Sequence, residues 1–299
     1  MSEAIILEQG VNVAGPVAAG QSLQAMAWRQ LWRKRTALAG IGIIVVLVLT
    51  AMLADVLAPY NPTATGSGEP MSPPNSQHPL GTDMLGRDML SRVIHGSRVA
   101  LYVGVLSLVP AIFAGVPLGV ISGFYGGAID NLIMRLMDIM LAFPIFLLAI
   151  VIMVILEPST TNVVIALGIV RIPIYARIVR GSVLSVKALT YIEAAKAVAV
   201  RDPRLLWRHI LPNCMAPIIV TSTLGVGTSI IAEASLSFLG LGTQPPTPSW
   251  GWDLKAGLMI LELNPWICLF PGVAIFLTVL AFNLFGDGLR DALDPRLKM

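Results

Sequence analysis

The chain has 299 residues, of which 56% are apolar and 12% charged, with 20 Lys and Arg against 17 Asp and Glu. Soluble domains carry about 25% charged residues, so these charges are too few to cover a soluble surface. Disorder is excluded too, because disordered chains are poor in apolar residues and rich in charge.

The pattern is that of an all-α integral membrane protein. A helix crosses the ~30 Å hydrocarbon core in about 20 residues. Charge-free windows at residues 36–54, 99–129, 139–156, 210–232 and 263–286 read as five clear spans. A sixth and weaker one, residues 162–180, is interrupted by Arg171, Pro173 and Arg177. Positive residues favour the cytoplasmic side. With six spans and both termini inside, 15 of the 20 basic residues fall on that side, among them Arg29, Arg33, Lys34, Arg35, Arg135, Arg290, Arg296 and Lys298. Outside fall Arg87, Arg92, Arg98 and Lys255. The first residues carry Glu3 and Glu8 without a basic n-region, so no cleavable secretory signal is expected. Cys214 and Cys268 lie at opposite ends of spans five and six in this topology. That exceeds the Cα separation of about 7 Å a disulfide tolerates, and free thiols are expected.

Between spans one and two, residues 59–97 open with five prolines, which helices do not tolerate. They close with RDMLSRVIHGSR, where Met89, Leu90, Val93 and Ile94 share one helical face and Arg92 and His95 the other. This predicts a short helix lying on the outer membrane surface. A second outer segment, about 240–265, is again proline-rich.

The cytoplasmic stretch 181–213 is long for a turn. Thr190 and Glu193 have capping-box spacing, and the helix they open is rich in Ala194, Ala195, Ala197 and Ala199. Asp202 is expected to cap a second short helix that starts at Pro203 and carries Arg204 and Arg208. Two short helices with a small-residue face make a plug for a groove on another protein, and a bulky residue at Ala195 is expected to overfill that groove.

YIEAAKAVAVRDPRLLWRHILPN resembles the EAA signature of ABC importer permeases, written EAA-x3-G-x9-I-x-LP. Glu193, Ala194, Ala195, Leu211 and Pro212 match; Ala199 stands where the pattern has Gly and His209 where it has Ile. Were that site to need φ > 0, Ala would cost about 1 kcal/mol, so ordinary helix is expected at Ala199. GTDMLGRDMLSRV, MRLMDIMLAFP, ASLSFLGLGTQPPTPSWG and GDGLRDALDPRLK extend the resemblance to the C-type subunit of the dipeptide/oligopeptide/nickel branch.

The resemblance implies a type I importer permease fold in a prokaryotic cytoplasmic membrane. It divides the chain into a tail (1–35), a first transmembrane helix (36–58), an outer segment (59–97), a five-helix permease domain (98–287) holding the coupling loop (181–213), and a second tail (288–299). It implies a B-type partner permease, two ATPase subunits that bind ATP and Mg, and an external binding protein that delivers a peptide-like solute. Glu193, Ala194, Ala195, Ala199, Asp202, Arg208, Leu211 and Pro212 would form the coupling element. The bilayer is the other partner, and no nucleic-acid contact is expected.

Gly115, Gly119, Gly123 and Gly127 recur every four residues, a small-residue row that lets another helix approach, either within the subunit or from the partner permease. Asp138 and Arg171 are ionisable residues inside spans, where such groups mark function by default; a mutual ion pair or solute contact would each account for them. His78, His95 and His209 have no metal-ligand spacing, and no metal is expected. There is no G-x-x-x-x-G-K-[ST] phosphate loop and no G-x-S-x-G elbow. The chain is therefore expected not to be an enzyme. A stand-alone secondary transporter or channel is the competing reading, but it would favour internal repeats and several mid-membrane carboxylates. A membrane anchor would not need six spans.

Overall fold

The computed structural model describes residues 31–293; Arg29, Arg296, Lys298, most of the first tail and half of the second lie outside them. Among the described residues the architecture is helical, with one isolated β-bridge between Thr82 and Asp88. The elements are α1 (Arg35–Met52), α2 (Ala54–Leu57), α3 (Met89–Leu106), α4 (Leu108–Tyr125), α5 (Gly127–Leu141), α6 (Ile145–Leu156), α7 (Thr160–Lys187), α8 (Thr190–Ala197), α9 (Asp202–Leu205), α10 (Met215–Phe238), α11 (Trp250–Leu258) and α12 (Trp266–Leu293). A π turn (Leu206–Ile210) and a 3-10 turn (Leu211–Cys214) join α9 to α10.

Among the described residues five helical runs are long and apolar enough to cross a membrane, and α5 with α6 makes a sixth if the bent pair is one span. The weak window at 162–180 is the 28-residue α7, unbroken through Pro173, whereas the clear window at 139–156 belongs to the pair bent by 85°. The bend falls where Pro144 removes an N–H and drives Phe143 out of helical backbone.

The interfacial helix expected before span two is not there. Residues 89–98 are the first turns of α3, which runs almost without interruption into α4 as a 37-residue helix. The Asp88 side chain starts it by accepting from Ser91 N at 2.8 Å. Arg92 faces inward, fully buried against Asp253; pairing with a carboxylate of α11 replaces the water that the amphipathic reading assigned to it. The preceding loop is folded back on itself through Gly66 N to Leu85 O, Met71 N to Asp83 O and Thr82 N to Ser72 O.

The glycine row works within the subunit. A Cβ on Gly115 would lie 2.7 Å from Ile172 O, one on Gly119 2.5 Å from Ala176 O, and one on Gly123 2.9 Å from Val183 Cβ. These three glycines let α4 lie directly on α7, the most extensive helix pairing in the described residues. Gly127 is not part of the row: it follows the break at Gly126, takes φ +55°, and faces open space.

Four apolar clusters fill the interior of the described residues, the smallest joining Leu31, Ala37 and Ala292. Ala111, Tyr175, Val179 and Val183 join α4 to α7 at one end. Val103, Met153, Val163 and Leu236 join α3, α6, α7 and α10 at the other. Leu47, Val226, Ile230, Trp250 and Phe282 tie in α1, α11 and α12. Cys214 and Cys268 are both free.

Candidate functional site

At the end of α7 the chain leaves the bundle as a small helical unit. Lys187 marks the exit, its Nζ donating to Phe124 O at 2.6 Å and lying over the Phe124 ring. Ile192 of α8, Leu205 of α9 and Ile210 of the π turn are fully buried, packed with Val183, Val186 and Cys214. Asn213 Nδ2 donates to Tyr191 OH at 3.1 Å and His209 O at 2.6 Å, closing the unit's last turn onto its first helix. The loop is therefore a built projection, fixed by apolar anchors to the helices that cross the membrane.

Its outer surface carries Glu193, Ala194, Ala197, Val198, Ala199, Asp202, Arg204 and Arg208, all exposed. Val198 is 75% and Trp207 73% exposed. Leu211 is half-buried and Pro212 exposed. Ala195 turns the other way, against the apolar anchors. A bulky residue there would overpack the loop's own base, so the expectation that it tests docking is corrected.

Neither expected cap forms. α8 begins at Thr190 itself, after Leu189, and α9 begins at Asp202, after Arg201; no side chain caps either helix. The first turns are in solvent, where water serves the orphan N–H groups as well as a hydroxyl or carboxylate would. Ala199 is not in ordinary helix either. It has φ +55°, its N–H donates to Lys196 O at 2.9 Å, and Val200 N donates to Ala195 O at 3.1 Å. This is the Schellman ending, in which glycine is usual at the left-handed position.

The expected pair of Arg171 and Asp138 is absent. Asp138 accepts instead from Arg177 Nη2, while Arg180 meets Asp130 through two bonds of 2.6 Å. α5 starts at Gly127 and crosses α7 at an angle: eight residues along α5 separate the two carboxylates but three along α7 separate their arginines. Depth counted from helix ends therefore misplaced the partner. Arg171 donates to Thr228 Oγ1 at 2.8 Å.

Two buried polar groups at the opposite end had no signal in the spacing. One is the pair of Arg92 and Asp253. The other is Glu233, whose Oε1 accepts from Ser237, Ser249 and Thr243 at 2.7, 3.0 and 3.2 Å, fixing the segment after α10. His78 sits against Asp88 and His95 against Asp55.

A polytopic helical bundle with a folded projection at one end and a charge-locked loop at the other is the architecture of a multi-pass membrane protein. The family described as "Binding-protein-dependent transport system inner membrane component" matches residues 115–299, and the chain belongs to it. Residues 22–76 match the N-terminal transmembrane domain of oligopeptide transport permease C. The dipeptide transport system permease protein DppC of Alkalihalophilus pseudofirmus is 46% identical over 91% of this chain and 90% of its own length. The glutathione transport system permease protein GsiD of Pectobacterium atrosepticum is 44% identical over 95% of each. Among solved structures, an inward-facing MetNI methionine ABC transporter matches with a TM-score of 0.58 and 17% identity, over 69% of this chain and 98% of that one. The fold is that of an ABC importer permease, and the protein is a permease component of the inner membrane.

Proposed function

We propose that the chain is one half of the translocation pathway of an ATP-driven importer for peptide-like solutes. The second half is another permease subunit; two ATPase subunits hold ATP and Mg2+ at the cytoplasmic face, and an external binding protein delivers the solute. The observation that supports this best is the α8–α9 projection, whose base is continuous with α4, α7 and α10 and whose outer surface offers Ala194, Ala197, Val198 and Trp207. A rigid lever of this kind turns closure of an ATPase dimer into helix movement. Both termini and the projection then face the cytoplasm, in line with the basic residues in and around the projection. The names of the dipeptide and glutathione permeases at 44–46% identity support the solute class.

The test is uptake by proteoliposomes containing the whole complex. Accumulation of di- or tripeptides that needs internal ATP and external binding protein is expected. Uptake by this chain alone, driven by an ion gradient, would overturn the reading in favour of a secondary transporter.

A further inference from the structure

We propose that Arg171 is a carboxylate-binding station midway along the translocation path, so that solutes bearing a free carboxylate are carried faster than the same solutes without one. The proposal rests on the permease reading above. Arg171 lies about 17 Å along α7 from its first residue, and Thr228 lies near the middle of α10, so both sit near the bilayer centre.

The guanidinium is held in a shaped place. A Cβ on Gly225 would come within 3.2 Å of Arg171 Nη1 and 3.0 Å of Leu108 Cδ2; glycine leaves the room that the fork occupies. Nη2 donates to Thr228 Oγ1 at 2.8 Å, and that hydroxyl donates in turn to Gly225 O at 3.0 Å. Thr228 is thereby turned so that a lone pair, not its proton, meets the arginine.

What the arginine lacks is a counter-charge. Among the described residues no Asp or Glu lies within ion-pair distance of it, whereas Arg177 and Arg180 on the same helix have Asp138 and Asp130. A guanidinium has five N–H donors, and leaving it unpaired at mid-membrane is costly unless it faces a cavity or a ligand.

One side of α10 offers a row of hydroxyls through these otherwise apolar surroundings. Thr228 is exposed and shares one side of α10 with Thr221 and Ser235, each seven residues away. Two open and mostly apolar concavities lie along that helix to either side of it, one reaching Thr221 and Arg290 and the other Ser235. Hydroxyls at heptad spacing stand in for water, and a planar fork at the midpoint takes a carboxylate through two parallel bonds.

The experiment uses the full complex in proteoliposomes with its binding protein, offered a set of di- and tripeptides with free C-termini and the same set as C-terminal amides, with uptake read by mass spectrometry. The Arg171→Gln complex is expected to carry the free-carboxylate peptides about tenfold or more slowly. The binding-protein concentration for half-maximal uptake is expected to stay unchanged, with partial recovery in Arg171→Lys. Where Arg171→Gln fails to assemble, Thr228→Val decides, with a smaller loss confined to the same peptides. Unaltered uptake in the variant that is measured, or equal loss for acids and amides, overturns the proposal while leaving the permease reading intact. A wild-type complex that carries no peptide overturns both.

Discussion

Arg92 and Asp253, 161 residues apart, meet in the interior where α3 begins, with Arg92 Nη2 and Nε at 2.5 and 2.8 Å from Asp253 Oδ1. Arg92 also donates to Pro62 O at 3.2 Å, so one side chain ties the proline-rich loop, α3 and α11 together. Breaking a buried pair leaves a lone charge and costs about 3–5 kcal/mol. Arg92→Met and Asp253→Leu are each expected to lower the thermal midpoint of the purified complex strongly, and the double change less than their sum. Additive losses in a double-mutant cycle would mean that the two charges do not stabilise each other.

The α4–α7 contact makes a second expectation. Gly119→Ala places a methyl 2.5 Å from Ala176 O, backbone that cannot move aside, and overpacking of this kind costs about 1–3 kcal/mol. Gly181→Ala on the same helix pair meets nothing within 4 Å and is expected to be neutral or stabilising by up to about 1 kcal/mol. The two thermal midpoints should move in opposite directions or differ clearly; equal shifts would deny the close approach.

Long-range pairing decided what the sequence could reveal. The spans were legible because lipid demands about 20 apolar residues in a row, and the α8–α9 loop because its motif is contiguous from Tyr191 to Asn213. The bend at Pro144 was hidden because apolar residues on both sides satisfy the same hydropathy window. Arg92 read as a solvent-facing residue because its partner lies on α11, and Arg171 received the wrong partner because the crossing angle of α5 on α7 has no signature in either helix. Ala199 was misjudged from its residue type: alanine avoids φ > 0, but the two Schellman bonds and the packing of Val200 and Ala195 override that preference.

That override has a measurable consequence. Ala199→Gly relieves a left-handed alanine and is expected to stabilise the loop by about 1 kcal/mol. Hydrogen exchange of the amides of Ala199 and Val200 should slow; faster exchange would show that the Schellman ending is not formed.

The ion pairs of α7 can be separated by coupling energies. Asp138 and Arg177 are both about half exposed, so their coupling should be modest, on the order of 0.2–1 kcal/mol. Asp138 with Arg171 should show none. A cycle with the opposite ranking would restore the pairing that α-helical spacing first suggested.

The central claim is that the α8–α9 projection transmits the ATPase stroke. Ala194 lies opposite the buried Ile192 on α8 and is exposed, so Ala194→Trp changes the docking surface without touching the apolar base. Steric overfilling worth about 1–3 kcal/mol weakens docking about 5- to 150-fold. The deciding measurement is ATP hydrolysis by the reconstituted Ala194→Trp complex, with and without loaded binding protein. The variant is expected to insert and pair with its partner permease while stimulation by loaded binding protein, and uptake with it, falls sharply. Wild-type stimulation and wild-type uptake in that complex would contradict the account.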